Sequence, residues 1–179
     1  MRRTFNTILV PIDFSAYSTE ALLYAASIAE PFSSSLLLLH VIAQDAKVYA
    51  THRHLERRGL PHRVFPLLGP YSEMLEEPQE ETDAVTVDLR EQGRVALQQF
   101  LPPELAKHDL ELHVEVGHPF DQILAMARDK QTELIVMGTH GRTGLEHVML
   151  GSVAERVVRL ASCPVMTVKT ATPPPSSNS

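Results

Sequence analysis

Apolar residues in this chain fall into short unbroken runs, and between the runs they recur every three or four positions. The first run, Thr7-Ile8-Leu9-Val10-Pro11-Ile12, is continuous enough for a strand covered on both faces. Asp13-Phe14-Ser15 ends it, and Ser15 or Ser18 can cap a following helix. Ala21, Leu22, Ala25, Ile28 and Ala29 share one face of that helix, which Pro31 and Ser33-Ser34-Ser35 close. Leu36 to Val41 reads as a second buried strand.

The pattern then breaks from Ile42 to Glu80. Gly59, Pro61, Pro66, Gly69 and Pro70 crowd the middle of this stretch, and only Asp45 to Arg58 reads as a short helix. Beyond it, Glu81 to Leu101 predicts a longer helix with Val85, Leu89, Ala96 and Phe100 on one face, stopped by Pro102-Pro103. Leu110 to Val116 alternates like a strand. Gly117-His118-Pro119 turns into a helix bearing Ile123, Leu124 and Ala127. Glu133 to Met137 is a further strand. Ser152 to Ala161 predicts a helix with Val153, Val157 and Leu160 inward, and Pro164 to Lys169 a last strand. Ala171 to Ser179, rich in Pro and Ser, predicts a disordered tail. Residues 1–170 are thus expected to form one domain, with 42–80 as an insertion-like segment.

Strands alternating with helices imply an α/β fold of three layers, a parallel sheet between two helical layers. Right-handed crossovers bring every strand's C-terminal end to one edge. Ligands bind at that edge, where the strand order reverses. The residues just after each strand therefore carry the functional reading.

Composition narrows the classes. Hydrophobic residues make up 44%, which excludes a disordered or fibrous chain. No apolar run approaches the ~20 residues of a membrane span. No apolar segment follows Met1-Arg2-Arg3-Thr4, so no signal peptide is expected and the cytoplasm is the default. Sixteen basic against 22 acidic residues give a net charge of −6, which disfavours nucleic acid as a partner. The single Cys163 rules out an intrachain disulfide and is expected to be a buried structural thiol.

The strongest chemical signal is Gly138-Thr139-His140-Gly141-Arg142-Thr143-Gly144, continuing to Gly151-Ser152, with the spacing Gly-x2-Gly-x9-Gly-Ser. It follows a predicted strand and opens a predicted helix. Glycines let the backbone approach an anion, and free N–H groups at a helix start favour negative charge. Ser152-Val153-Ala154-Glu155 also fits a capping box. Asp13, at the end of the first strand, either contacts a ligand or supports the helix start. His140 either touches phosphate or points to solvent. His52, His54 and His62 read as solvated loop residues without metal-ligand spacing.

With its flanks, this spacing resembles the universal stress protein family in its ATP-binding branch. The N-terminal block is Ile8-Leu9-Val10-Pro11-Ile12-Asp13-Phe14-Ser15 with Ser18 and Ala21-Leu22. The more specific C-terminal block runs from Glu133-Leu134-Ile135-Val136-Met137-Gly138 through Gly151-Ser152-Val153-Ala154-Glu155-Arg156-Val157 to Ser162-Cys163-Pro164-Val165. The resemblance implies a five-stranded parallel sheet in the order 3-2-1-4-5, an adenine nucleotide alpha hydrolase-like fold that binds ATP with Mg²⁺. Carried over, Pro11, Asp13 and Val41 surround adenine and ribose, Met137 and Gly138 line the pocket, and Gly141, Arg142, Gly151, Ser152 and Val153 hold the phosphates. It also implies a homodimer through the last strand and a regulatory role exerted on a protein partner. His147 stands where many members carry a basic residue. The 42–80 segment is longer than usual and is expected to form an ATP-ordered lid or partner surface, with a passive surface insertion as the alternative.

Enzymatic readings fare less well. A pyrophosphatase-type ligase needs a Ser-Gly-Gly-x-Asp-Ser loop after the first strand, where this chain has Ile12-Asp13-Phe14-Ser15-Ala16-Tyr17-Ser18. A phosphorylation receiver needs a phosphoacceptor Asp after the third strand, where Gly117-His118 stands. Slow ATP hydrolysis is the remaining enzymatic alternative.

Overall fold

A computed structural model describes residues 5–43, 79–140 and 150–169. Their elements are β1 (Thr7–Ile12), α1 (Ala16–Ala29), β2 (Ser35–Ala43), α2 (Gln79–Phe100), β3 (Leu110–Gly117), α3 (Pro119–Asp129), β4 (Leu134–Gly138), α4 (Ser152–Leu160) and β5 (Val165–Val168), with short 3-10 turns at Glu30–Phe32 and Pro103–Lys107. The strands form one parallel sheet in the order β3-β2-β1-β4-β5, as expected. Most of the 42–80 segment, including 45–58 and the histidines 52, 54 and 62, lies outside the described residues, as does the tail. Ile42 and Ala43 extend β2, and Gln79 and Glu80 belong to α2.

The unbroken apolar runs resolve into two cores because side chains alternate across a strand. Ile8, Val10, Leu36, Leu38, Leu134 and Val136 meet α1 and α2 on one face. Leu9, Leu37, Leu39, Ile135 and Met137 meet α3 and α4 on the other. Leu36 to Leu39 are essentially inaccessible to solvent, and each buried leucine stabilises the fold by about 1.5–3 kcal/mol. Edge strand β3 alternates for the same reason: Leu110, Leu112 and Val114 pack on the first core, while Glu111 pairs with Lys130 and His113 at the surface.

One helix face matches its sequence pattern with additions and another departs from it. In α2, Leu89, Ala96 and Phe100 are partly buried on the inward face as expected, and Gly93 and the fully buried Leu97 share that face. A Cβ on Gly93 would lie 2.7 Å from Val114 Cγ1, so the missing side chain lets α2 approach β3. In α4, Ala154 and Val157 are buried but Leu160 is 52% exposed. β5 is the sheet edge, and no described strand lies beyond it to cover the last turn of α4.

Candidate functional site

The order reverses at β1, which joins β2 on one side and β4 on the other. The strand ends there open into a cleft of about 300 Å³, at the lower end of the range for small-ligand sites. Pro11, Leu39, Val41 and Met137 give it an apolar floor, with Pro119 and Ile123 of α3 beside them. Polar groups converge from Asp13 and Ser18, from Thr139 and His140 after β4, and from Gly151 and Ser152.

The β1–α1 turn sets Asp13. Its Oδ1 accepts hydrogen bonds from the Ser15 N–H at 3.0 Å and the Ser15 hydroxyl at 2.6 Å. Ser15 is the N-cap of α1, and its Oγ accepts from the Ser18 N–H at 3.2 Å. One Asp13 oxygen organises the helix start, and the other has no hydrogen-bond partner among the described residues. Between Asp13 and Ser15, Phe14 adopts φ 66°, a left-handed conformation that costs a non-glycine residue roughly 1–2 kcal/mol.

The start of α4 forms the opposite wall, and its cap corrects the capping-box expectation. Gly151 is the N-cap and makes no side-chain cap, so Ser152 is the first helical residue. The Gly151 N–H donates to the Thr139 carbonyl at 2.7 Å, and the Glu155 N–H donates to the Gly151 carbonyl at 2.8 Å. The amides of Ser152, Val153 and Ala154 precede the first intrahelical bond and have no acceptor within the helix. All three residues line the cleft. Gly151 thus ties the end of β4 to the start of α4 through its amide.

Gly138 lines the cleft and is also needed for packing. A Cβ there would lie 2.7 Å from Tyr17 Cβ and 3.1 Å from the Tyr17 carbonyl oxygen. The glycine is required by the first turn of α1, which packs directly on β4. The Tyr17 ring lies beside the His140 ring, with centroids 5.2 Å apart, and His140 Nδ1 is 2.9 Å from the Thr139 hydroxyl.

Pro11, Asp13, Val41, Met137, Gly138, Gly151, Ser152 and Val153 all line this cleft, whereas Gly141, Arg142 and His147 lie outside the described residues. Leu39 was legible: it is two positions before Val41, on the same face of β2. Pro119 and Ile123 carried no such signal, because only the packing of α3 brings them here. Cys163 is half-buried rather than buried, and that burial pushes its thiol pKa up. Among the described residues, no helix is long and apolar enough to cross a membrane.

Fold and cleft define a doubly wound α/β protein with its ligand edge at the β1–β4 switch point. Residues 4–64 and 63–169 match the model of the universal stress protein family. Universal stress protein MJ0531 of Methanocaldococcus jannaschii is 35% identical over 167 residues, covering 92% of this chain and 82% of that protein. The chain belongs to the universal stress protein family. The solved structure of MJ0577, from the same organism, is similar with a TM-score of 0.61 at 24% identity, covering 95% of this chain and 99% of that one. A universal stress protein in complex with cAMP is similar with a TM-score of 0.53 at 21% identity, covering 94% and 100%.

Proposed function

We propose that this protein binds ATP with Mg²⁺ in the cleft and acts as a nucleotide-dependent regulatory module in stress response. The observation that carries the reading is the pairing of an apolar floor with the amides of Ser152, Val153 and Ala154 at the start of α4, which have no partner among the described residues. Adenine suits the floor of Pro11, Val41 and Met137. The unengaged oxygen of Asp13 suits a ribose hydroxyl. The α4 amides, at the positive end of the helix dipole, suit phosphate, and the family resemblance assigns Gly141 and Arg142 to the same phosphates. The relative solved with cAMP supports an adenine nucleotide as the ligand.

Among the described residues, no cluster of His, Cys, Asp and Glu could hold a metal ion unaided. Mg²⁺ is commonly held by one or two carboxylates plus substrate phosphates, and Asp13 is the one carboxylate among the described cleft residues. Bound with the nucleotide, the ion would neutralise phosphate charge. One Asp13 oxygen is engaged by Ser15, which favours a binding module over a dedicated hydrolase; slow hydrolysis is the alternative.

Mass spectrometry of small molecules released from purified, denatured protein tests the ligand directly, and calorimetry with ATP, ADP, AMP and cAMP ranks it. An adenine nucleotide is expected in the first assay and ATP as the tightest in the second. Absence of any adenine nucleotide in both would end the proposal.

A further inference from the structure

His40 touches both neighbours of Asp13 in the chain. It lies on β2 directly across from Ile12 in the β1–β2 register and is 8% exposed. Its Nδ1 is 2.8 Å from the Ile12 carbonyl oxygen. A carbonyl only accepts, so Nδ1 carries the hydrogen and donates it. On the other side, the Phe14 ring lies against the His40 ring, with centroids 4.4 Å apart, and against Phe100 at the end of α2, 5.3 Å away. Phe14 is the residue held at φ 66°, and such a conformation persists only where surrounding contacts over-determine it. The β4 ladder pairs Ile8 and Leu9 of β1, so β4 does not fix the end of the strand.

We infer that His40 and Phe14 are positioning residues: together they clamp the peptide on each side of Asp13 and aim its unengaged oxygen into the cleft. The inference rests on the reading of Asp13 as the ribose contact. Neither side chain touches the ligand in this account. His40 fixes the Ile12 carbonyl through its hydrogen bond, and the stack on Phe14 and Phe100 holds the turn in its left-handed state. Phe100 makes the end of α2 part of the clamp.

The experiment compares affinity for ATP with affinity for 2′,3′-dideoxy-ATP, both with Mg²⁺, by calorimetry. A hydrogen bond to a charged group makes the wild type prefer ATP by about tenfold or more. Asp13→Ala should abolish that preference. His40→Leu, which fills similar space without a donor, should reduce it to about threefold or less by weakening ATP binding while leaving the dideoxy analogue unchanged. His40→Asn, which retains a donor near Nδ1, should restore it. Phe14→Gly permits the same φ without the ring and should behave like His40→Leu. Because Phe14 is 36% exposed, this variant should fold even if the buried leucine does not. A preference lost in Asp13→Ala but intact in both His40→Leu and Phe14→Gly overturns the inference and spares the ribose reading. Equal binding of the two nucleotides by the wild type overturns both. A merely structural role would weaken both nucleotides alike, and that result also overturns the clamp.

Discussion

Gly138→Ala separates a glycine needed by the fold from one needed by a ligand. The new Cβ would stand 2.7 Å from Tyr17 Cβ, 3.0 Å from the Tyr17 carbonyl carbon and 3.1 Å from its oxygen. Two of these are backbone atoms in the first turn of α1, so no rotamer change relieves the contact and the helix must move from β4. Overpacking of this kind costs about 1–3 kcal/mol. For a domain of this size, about 2 kcal/mol lowers Tm by roughly 4–8 °C. Gly93→Ala is the control: its Cβ also meets an atom at 2.7 Å, but that atom is Val114 Cγ1, a side-chain methyl. The substitution also gains up to about 1 kcal/mol of helix propensity, so its net destabilisation should be smaller by about that amount. Urea and thermal unfolding of nucleotide-free protein measure both. If Gly138→Ala is as stable as wild type without nucleotide, the packing argument fails and Gly138 serves only the ligand.

The start of α4 gives a second test. Ser152→Pro places proline at the first helical position, which helices accept, after Gly151 at φ −64°, ψ 150°, a conformation compatible with a following proline. Tm should hold while ATP affinity falls about tenfold or more through loss of a donor to a charged group; unchanged calorimetric affinity would remove this amide from the site. Turnover should be slow, below the ~1 s⁻¹ at the lower end of typical enzymes, and phosphate release at or above that rate would favour the hydrolase reading. β5 is a four-residue edge strand whose unpaired backbone groups invite pairing. We propose that it mediates a homodimer, which Val165→Lys with Thr167→Pro should convert to monomers in light scattering; a monomeric wild type at micromolar concentration would refute this.

The amino-acid sequence by itself determined the order of elements, the parallel sheet and the edge at which the cleft opens. These follow from local periodicity and chain order: the run Leu36 to Val41 is apolar at successive positions because both of its faces are covered, and right-handed crossovers leave few other arrangements. The family resemblance carried by its motifs also implied that Pro11, Asp13, Val41, Met137 and Ser152 are neighbours of one site, and all five line the cleft. Only the tertiary structure decided what Gly138, Gly151 and His40 contact. Gly138 is constrained by Tyr17, a residue 121 positions away whose approach depends on how α1 packs. Gly151 spends its amide on Thr139, leaving the next three residues to face the cleft. His40 sits in an apolar run, and its hydrogen bond to Ile12 exists only because the β1–β2 register sets the two residues side by side. Periodicity assigns a residue to a face, whereas the partner it meets there depends on distances between elements, which packing alone sets.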